Sequence, residues 1–212
     1  MRSLGRELGV EAMSLYNHVS NKADLLDGLV DLVAREVVAA VEAIEPPESP
    51  AEWQPVVRKR ILTAREVLLR HRWAPGLLES RTDIPPSLIG YYDSLLGLML
   101  EAGFSLDLAH HALHALGSRV LGFSQELFVT PDDLDPEVVG MMIRQMSGAH
   151  PHLAALLRIV SHDPGSTLGG CDDQFEFEFG LDLLLDGLER LRHSSGSWRS
   201  PPDVTLPPGS PP

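Results

Sequence analysis

The sequence predicts an all-α protein, and three observations carry that prediction. Apolar residues return at spacings of three and four through most of the chain, the period of a helix face. No apolar-polar alternation bounded by hairpin turns recurs, and clusters of proline and glycine divide the apolar stripes into helix-length segments.

The first segment pairs Leu4 with Leu8 on one helical face and meets Gly9-Val10, after which a second pattern runs from Glu11 to Val19. Gly9 suits a left-handed turn, and Val10 is expected to plug the angle between the two helices. From Lys22 to Ile44 a continuous stripe of Leu25, Leu29, Leu32, Val33, Val37, Val41 and Ile44 predicts one long helix. Asn21 is its cap and Asp24 stands three residues on. Pro46, Pro47 and Pro50 end it, and Trp53, Val56, Val57, Ile61, Ala64 and Leu68 mark the next helix.

A loop with Arg81, Pro85 and Pro86 precedes a helix through Leu88, Tyr92, Leu95, Leu96 and Met99, closed by Gly103. Ser105 restarts the chain. The following helix is expected to reach about Phe128, with Leu108, Ala112, Leu113, Leu116, Val120, Phe123 and Leu127 inward, and weaker helical patterns cover Glu137 to Gln145 and His152 to Val160. Phe175, Phe177 and Phe179 alternate with Glu176 and Glu178 as in a strand. The continuation through Leu181, Leu184, Leu185, Leu188 and Leu191 is helical and apolar over more than one face, so this element needs burial on two sides. Residues 194–212 hold six prolines and five serines with few aliphatics, the composition of a disordered tail.

At 212 residues and 43% hydrophobic, the chain can bury a core without staples, and its single cysteine, Cys171, allows no intramolecular disulfide. A reducing cytoplasm fits, since no apolar run is long enough to span a bilayer and Met1 to Val10 lacks a signal-peptide core. The net charge is −13, yet Arg2, Arg6 and Lys22 against Glu7 and Glu11 leave the first 22 residues at +1 and the remainder at −14. An acidic body repels nucleic acid, so any DNA contact falls to that N-terminal piece.

There, projection at 3.6 residues per turn sets Leu15 and Val19 toward Leu4 and Leu8, which leaves Met13, Ser14 and Asn17 outward. Short side chains on that face suit base edges in a major groove. Tyr16 and His18 flank them where phosphates pass, and Arg2 and Lys22 open the bordering helices. The same spacing also fits a plain helical hairpin in an all-α protein.

The strings Leu8-Gly9-Val10-Glu11, Leu15-Tyr16-Asn17-His18-Val19-Ser20-Asn21-Lys22 and Leu25-Leu26-Asp27 resemble the helix-turn-helix domain of the tetracycline-repressor (TetR) family. Arg81, Gly103-Phe104-Ser105-Leu106 and Leu121-Gly122 resemble, in the same order, the effector domain of its tetracycline-repressor-like subgroup. The resemblance implies a ligand-responsive regulator, expected to be a repressor that binds double-stranded, palindromic operator DNA as a homodimer and is released by a small-molecule effector. It places Arg2, Ala12, Met13, Ser14, Tyr16, His18 and Lys22 at operator-contacting positions, joined by Asn17 from the helical projection. Ala12 and Met13 stand where the tetracycline repressor has glutamine and proline, so a different operator sequence is expected.

The implied division is a DNA-binding domain with its connecting helix over residues 1–44, a ligand-binding and dimerisation domain over 45–193, and the tail. The helices around 108–128 and 175–192, Leu184 and Leu188 included, are expected to form the dimer interface. Family members carry a further helix before the position of Met1, so the resemblance implies that the first helix is missing from the chain as it starts here. Either Met1 is internal to a longer reading frame, or the protein is a ligand-binding dimer without DNA binding.

The implied pocket draws on Thr63, Trp73, Leu77, Arg81, Tyr91, Tyr92, Asp93, His114 and Gly117. Val38 and Leu77 occupy the places of the tetracycline repressor's two magnesium-site histidines, so a more apolar effector than a magnesium-tetracycline chelate is expected, with no cofactor. His110, His111 and His114 have helical spacing but no acidic or cysteine partner to complete a metal site. An enzyme finds no support: G-x-S-x-G, P-loop and H-E-x-x-H motifs are all missing.

Overall fold

A computed structural model describes residues 1–81, 84–122, 136–160 and 173–194. The fold is all-α, with ten helices among the described residues: α1 (Arg2–Glu7), α2 (Ala12–Leu15), α3 (Lys22–Glu42), α4 (Trp53–Arg70), α5 (Ala74–Glu79), α6 (Pro86–Glu101), α7 (Leu106–Gly122), α8 (Pro136–Met146), α9 (Pro151–Val160) and α10 (Asp173–His193). A short 3₁₀ turn, Pro50–Glu52, leads into α4. None of these helices is long and apolar enough to cross a membrane. The expected extension of α7 through Phe123 and Leu127, Cys171, and the tail beyond Ser194 lie outside the described residues.

The body has two apolar cores that share α4. One joins Trp53, Val57 and Ile61 of α4 to Leu95, Leu98 and Met99 of α6, Ala109, Ala112 and Leu116 of α7, and Phe177, Leu181 and Leu185 of α10. The other joins Val33, Val37 and Val41 of α3 to Ala64, Val67 and Leu68 of α4 and Ala74 of α5. Tyr91 and Val120 pack against both. α6 ends as its sequence predicts: Gly103 sits at φ +91°, and the Phe104 amide donates to the Met99 carbonyl at 3.1 Å. Ser105 Oγ then accepts from the Leu108 amide at 3.1 Å to start α7.

Three local expectations need correction. The second N-terminal helix is shorter than Glu11 to Val19, because after Ser14 the amides of Asn17 and His18 reach back only three residues. Leu8 is 60% exposed, and Val10 is exposed rather than wedged between the helices; the close contact there is Gly5, the one buried residue of α1. In α3 the buried line runs through Val30, Val33, Ala34, Val37 and Val41, leaving Leu32 61% exposed, since the helix turns a different edge toward α4 and α6. The alternating phenylalanines of α10 are helical throughout. Phe177, two residues from each neighbour, is turned into the core, whereas Phe175 and Phe179, four apart, share the outer face. α5 has no counterpart in the sequence reading; its Pro75 sits in the first turn, where no amide is needed.

Glu189 knots the end of α10 to the body. It accepts from Trp53 Nε1 at 2.9 Å and from Arg192, which also donates to the Ala102 carbonyl at 2.7 Å. These donors, Arg192 first, hold its carboxyl down to about 2. A depressed carboxylate stabilises the fold above its ordinary pKa, and that contribution disappears as pH falls toward the folded value. Glu189→Gln is therefore expected to lower Tm by about 2 to 4 °C at pH 7. Thermal scans should show this difference from the parent narrowing steadily between pH 5 and pH 2, if the ion pair is its source.

Candidate nucleic-acid interface and ligand cavity

The N-terminal hairpin is set by two glycines with different duties. Gly9 takes φ +67° and lets the chain reverse after α1. Gly5 lets α2 come close: a β-carbon there would lie 2.8 Å from the Val10 carbonyl oxygen and 3.1 Å from the Ala12 nitrogen. Both obstacles are backbone atoms, so neither can rotate away. The sequence carried a sign of this in Gly5 standing four residues before Gly9, but spacing alone does not separate a contact glycine from a turn glycine.

On this hairpin Met13, Ser14, Tyr16, Asn17 and His18 are exposed, and Ala12 is half-buried. Met13 and Ser14 belong to α2, and Tyr16, Asn17 and His18 to the turn that follows it. Leu4, Leu15 and Val19 are half-buried. Arg2 and Lys22, both exposed, are the first residues of α1 and α3. The start of α3 is fixed by a reciprocal cap, in which Asn21 Oδ1 accepts from the Asp24 amide at 3.0 Å while Asp24 accepts from the Ser20 amide at 2.7 Å.

From Lys22, α3 runs without interruption into the body. There Val33, Ala34 and Val37 form one wall of a cavity of about 100 Å³. Ile61, Ala64 and Leu68 of α4 and Leu78 of α5 add a second wall. Leu88, Tyr91, Tyr92 and Leu95 of α6, with Leu113, Leu116, Gly117, Val120 and Leu121 of α7, close the rest. The cavity thus lies at the seam of the two cores. Burial pushes the Tyr91 phenol up to about 12 and raises Tyr92 as well, so both stay protonated at neutral pH.

Of the nine residues expected around a pocket, the structure brings Tyr91, Tyr92 and Gly117 together on this cavity. The other six lie elsewhere for reasons of helical phase and pairing. Thr63 and Asp93 follow the wrong turn of α4 and α6, and Asp93 is exposed. Trp73 is exposed in the turn after α4, edge-on to His71 at 6.0 Å. Leu77 is half-buried, and its neighbour Leu78 takes the lining position instead. Arg81 pairs with Asp27 in a separate cleft beside Asp31 and Pro85. His114 is exposed and stacks edge-on against His110 at 4.6 Å. Val38 is half-buried on α3 and is not a lining residue. Among the described residues no group of three or more His, Cys, Asp or Glu side chains is placed to hold a metal ion.

Sequence reasoning passed over Val33, Val37, Ala64, Leu68 and Leu116 as cavity residues, because an aliphatic that lines a void has the same pattern as one that fills a core.

A helix-turn-helix joined by one continuous helix to a helical body with an apolar internal cavity defines the class of ligand-responsive transcriptional regulators. The sequence profile described as the tetracyclin repressor-like C-terminal domain matches residues 46–192. The tetracycline repressor protein class D of Escherichia coli is 30% identical over 192 residues, covering 89% of this chain and 78% of the relative. The crystal structure of a possible TetR family transcriptional regulator from Streptomyces coelicolor A3(2) superposes with a TM-score of 0.68 at 29% identity, over 90% of this chain and 88% of that one. The Streptomyces coelicolor TetR family protein ActR, solved in complex with actinorhodin, gives a TM-score of 0.62 at 25% identity, over 92% and 88% of the two chains. The chain belongs to the tetracycline-repressor (TetR) family of transcriptional regulators. That family consists of DNA-binding, dimeric proteins without enzymatic activity.

Proposed function

We propose that this protein is a cytoplasmic repressor that binds a palindromic operator as a homodimer and leaves it when a small molecule enters the cavity between α3, α4, α6 and α7. The observation that carries the reading is the span of α3. Lys22 is its first residue, just after the exposed hairpin in the chain, while Val33 and Val37, about 16 to 22 Å along the same helix, line the cavity. A ligand that moves the cavity wall therefore moves the base of the hairpin through a rigid rod.

In this reading residues 1–44 are the DNA-binding domain and 45–193 the ligand-binding and dimerisation domain. Met13, Ser14 and Asn17 face base edges, and Arg2, Tyr16, His18 and Lys22 hold phosphates, with Ala12 at the base of the recognition segment. Two copies are needed to read two half-sites about one helical turn apart.

The dimer face proposed is the outer stripe of α10, Phe175, Phe179 and Leu183, all exposed. This revises the expectation for Leu184 and Leu188, which pack within the protomer, and for α7, whose outward residues include His110, His111, His114 and Ser118.

Titration on a randomised operator pool tests the assignment of the hairpin. Lys22→Ala should weaken all sequences by a similar factor and flatten the salt dependence by about one unit of slope. Ser14→Ala and Asn17→Ala should change which bases are preferred, each by about 1 to 3 kcal/mol at its own position. Unchanged base preference in both face variants would mean that another segment reads the DNA.

A further inference from the structure

The chemistry of the cavity limits what can bind in it. Of its sixteen lining residues only Tyr91 and Tyr92 carry a polar side-chain atom, and none carries a charge. The walls are helices, whose backbone amides and carbonyls are already paired along each axis. A charged ligand would lose its hydration and gain no counter-ion, at a cost that apolar burial does not recover. A magnesium chelate would find no carboxylate or imidazole on the wall.

The two phenols are not equivalent. Tyr91 is the deeper one, packed against both cores, with its ring 5.7 Å from that of Tyr92. Among the described residues neither hydroxyl has a hydrogen-bond partner. Burial, the largest influence on the Tyr91 phenol, keeps it protonated and therefore able to donate. A donor left without a protein partner on a cavity wall is one that a ligand acceptor can take up.

We infer that the cavity selects an uncharged, mainly apolar ring compound bearing one carbonyl-type acceptor, and that Tyr91 is the residue that recognises this acceptor by donating its phenolic hydrogen. The inference rests on the proposed role of the cavity as the effector site. Gly117 on the opposite helix leaves room for a flat ring where any side chain would intrude upon the void. The apolar walls supply most of the affinity and little selectivity. Tyr91 supplies the selectivity.

The test uses the full chain and three probes built on one bicyclic ring: 1-indanone, indane and indane-1-carboxylate, each titrated by calorimetry. The ketone should bind about tenfold more tightly than the hydrocarbon, the factor a single neutral hydrogen bond gives, and the carboxylate should not bind measurably. Tyr91→Phe, which removes one oxygen and leaves the packing intact, should erase the preference for ketone over hydrocarbon. Tyr92→Phe should keep the preference. Carboxylate binding equal to that of the ketone, or a ketone preference that survives Tyr91→Phe, would overturn the inference while leaving the cavity as a ligand site. Failure of all three probes to bind would instead remove the cavity as the effector site, and the inference with it.

Discussion

Gly5→Ala is expected to abolish operator binding at concentrations where the parent saturates, while leaving ligand affinity and dimerisation unchanged. The added methyl carbon would sit 2.8 Å from the Val10 carbonyl oxygen and 3.3 Å from the Ala12 α-carbon, so α1 and α2 must separate. Forced overpacking of this kind costs about 1 to 3 kcal/mol where it can be relieved by backbone movement. A dimer on two half-sites bears that cost twice, which corresponds to a loss on the order of a hundredfold or more in operator affinity. Displacement of α2 from the groove adds to it, since Met13, Ser14 and Asn17 are carried on or just after that short helix. Gel-shift titration gives the affinity. Gly9→Ala is the comparison: its β-carbon meets nothing within 4 Å, and its strain comes from φ +67° alone, so the loss should be smaller.

The second large effect is expected at the outer face of α10. Phe179→Glu combined with Leu183→Glu should convert the dimer to a monomer at micromolar concentration and remove operator binding with it. Twofold symmetry places each substitution twice in the interface, so four carboxylates would have to be buried without partners. Sedimentation velocity should show the protomer mass with helical circular dichroism retained, because both side chains are more than half exposed in the protomer. Phe177→Glu is the opposite case. Phe177 is fully buried beneath the Arg65 guanidinium, 4.2 Å from its ring, and its loss should unfold the body rather than split the dimer. A double variant that still sediments as a dimer would move the interface away from α10.

Much of the fold was legible because helical periodicity and punctuation agree along the chain. Gly103, Ser105 and the Asn21–Asp24 cap are each visible as residue types and each perform the predicted bond. The rotational setting of a helix is harder to read. In α3 both Leu32 and Val33 are apolar, and which of them is buried depends on how α4 and α6 approach, a fact that no single stripe contains. α5 was missed because Pro75 and Gly76 read as a breaker pair, although one turn of helix can begin with proline. The exposure of Met13, Ser14, Tyr16, Asn17 and His18 was legible from spacing together with the resemblance of the motif. The cavity was only partly so. Tyr91, Tyr92 and Gly117 stood out as unusual residue types, whereas the aliphatic wall differs from ordinary core only by what is missing between its atoms.

The central claim is that occupancy of the cavity and occupancy of the operator exclude one another through α3. The most direct measurement is fluorescence anisotropy of a labelled DNA duplex taken from upstream of the protein's own gene, titrated with the full chain and then with 1-indanone. Binding should be saturable and at least about a thousandfold tighter than to a scrambled duplex at the same salt. 1-Indanone should release the DNA, with the midpoint rising when Leu116→Trp fills the cavity. Equal affinity for operator and scrambled duplex, or release by 1-indanone that is indifferent to Leu116→Trp, would contradict the claim.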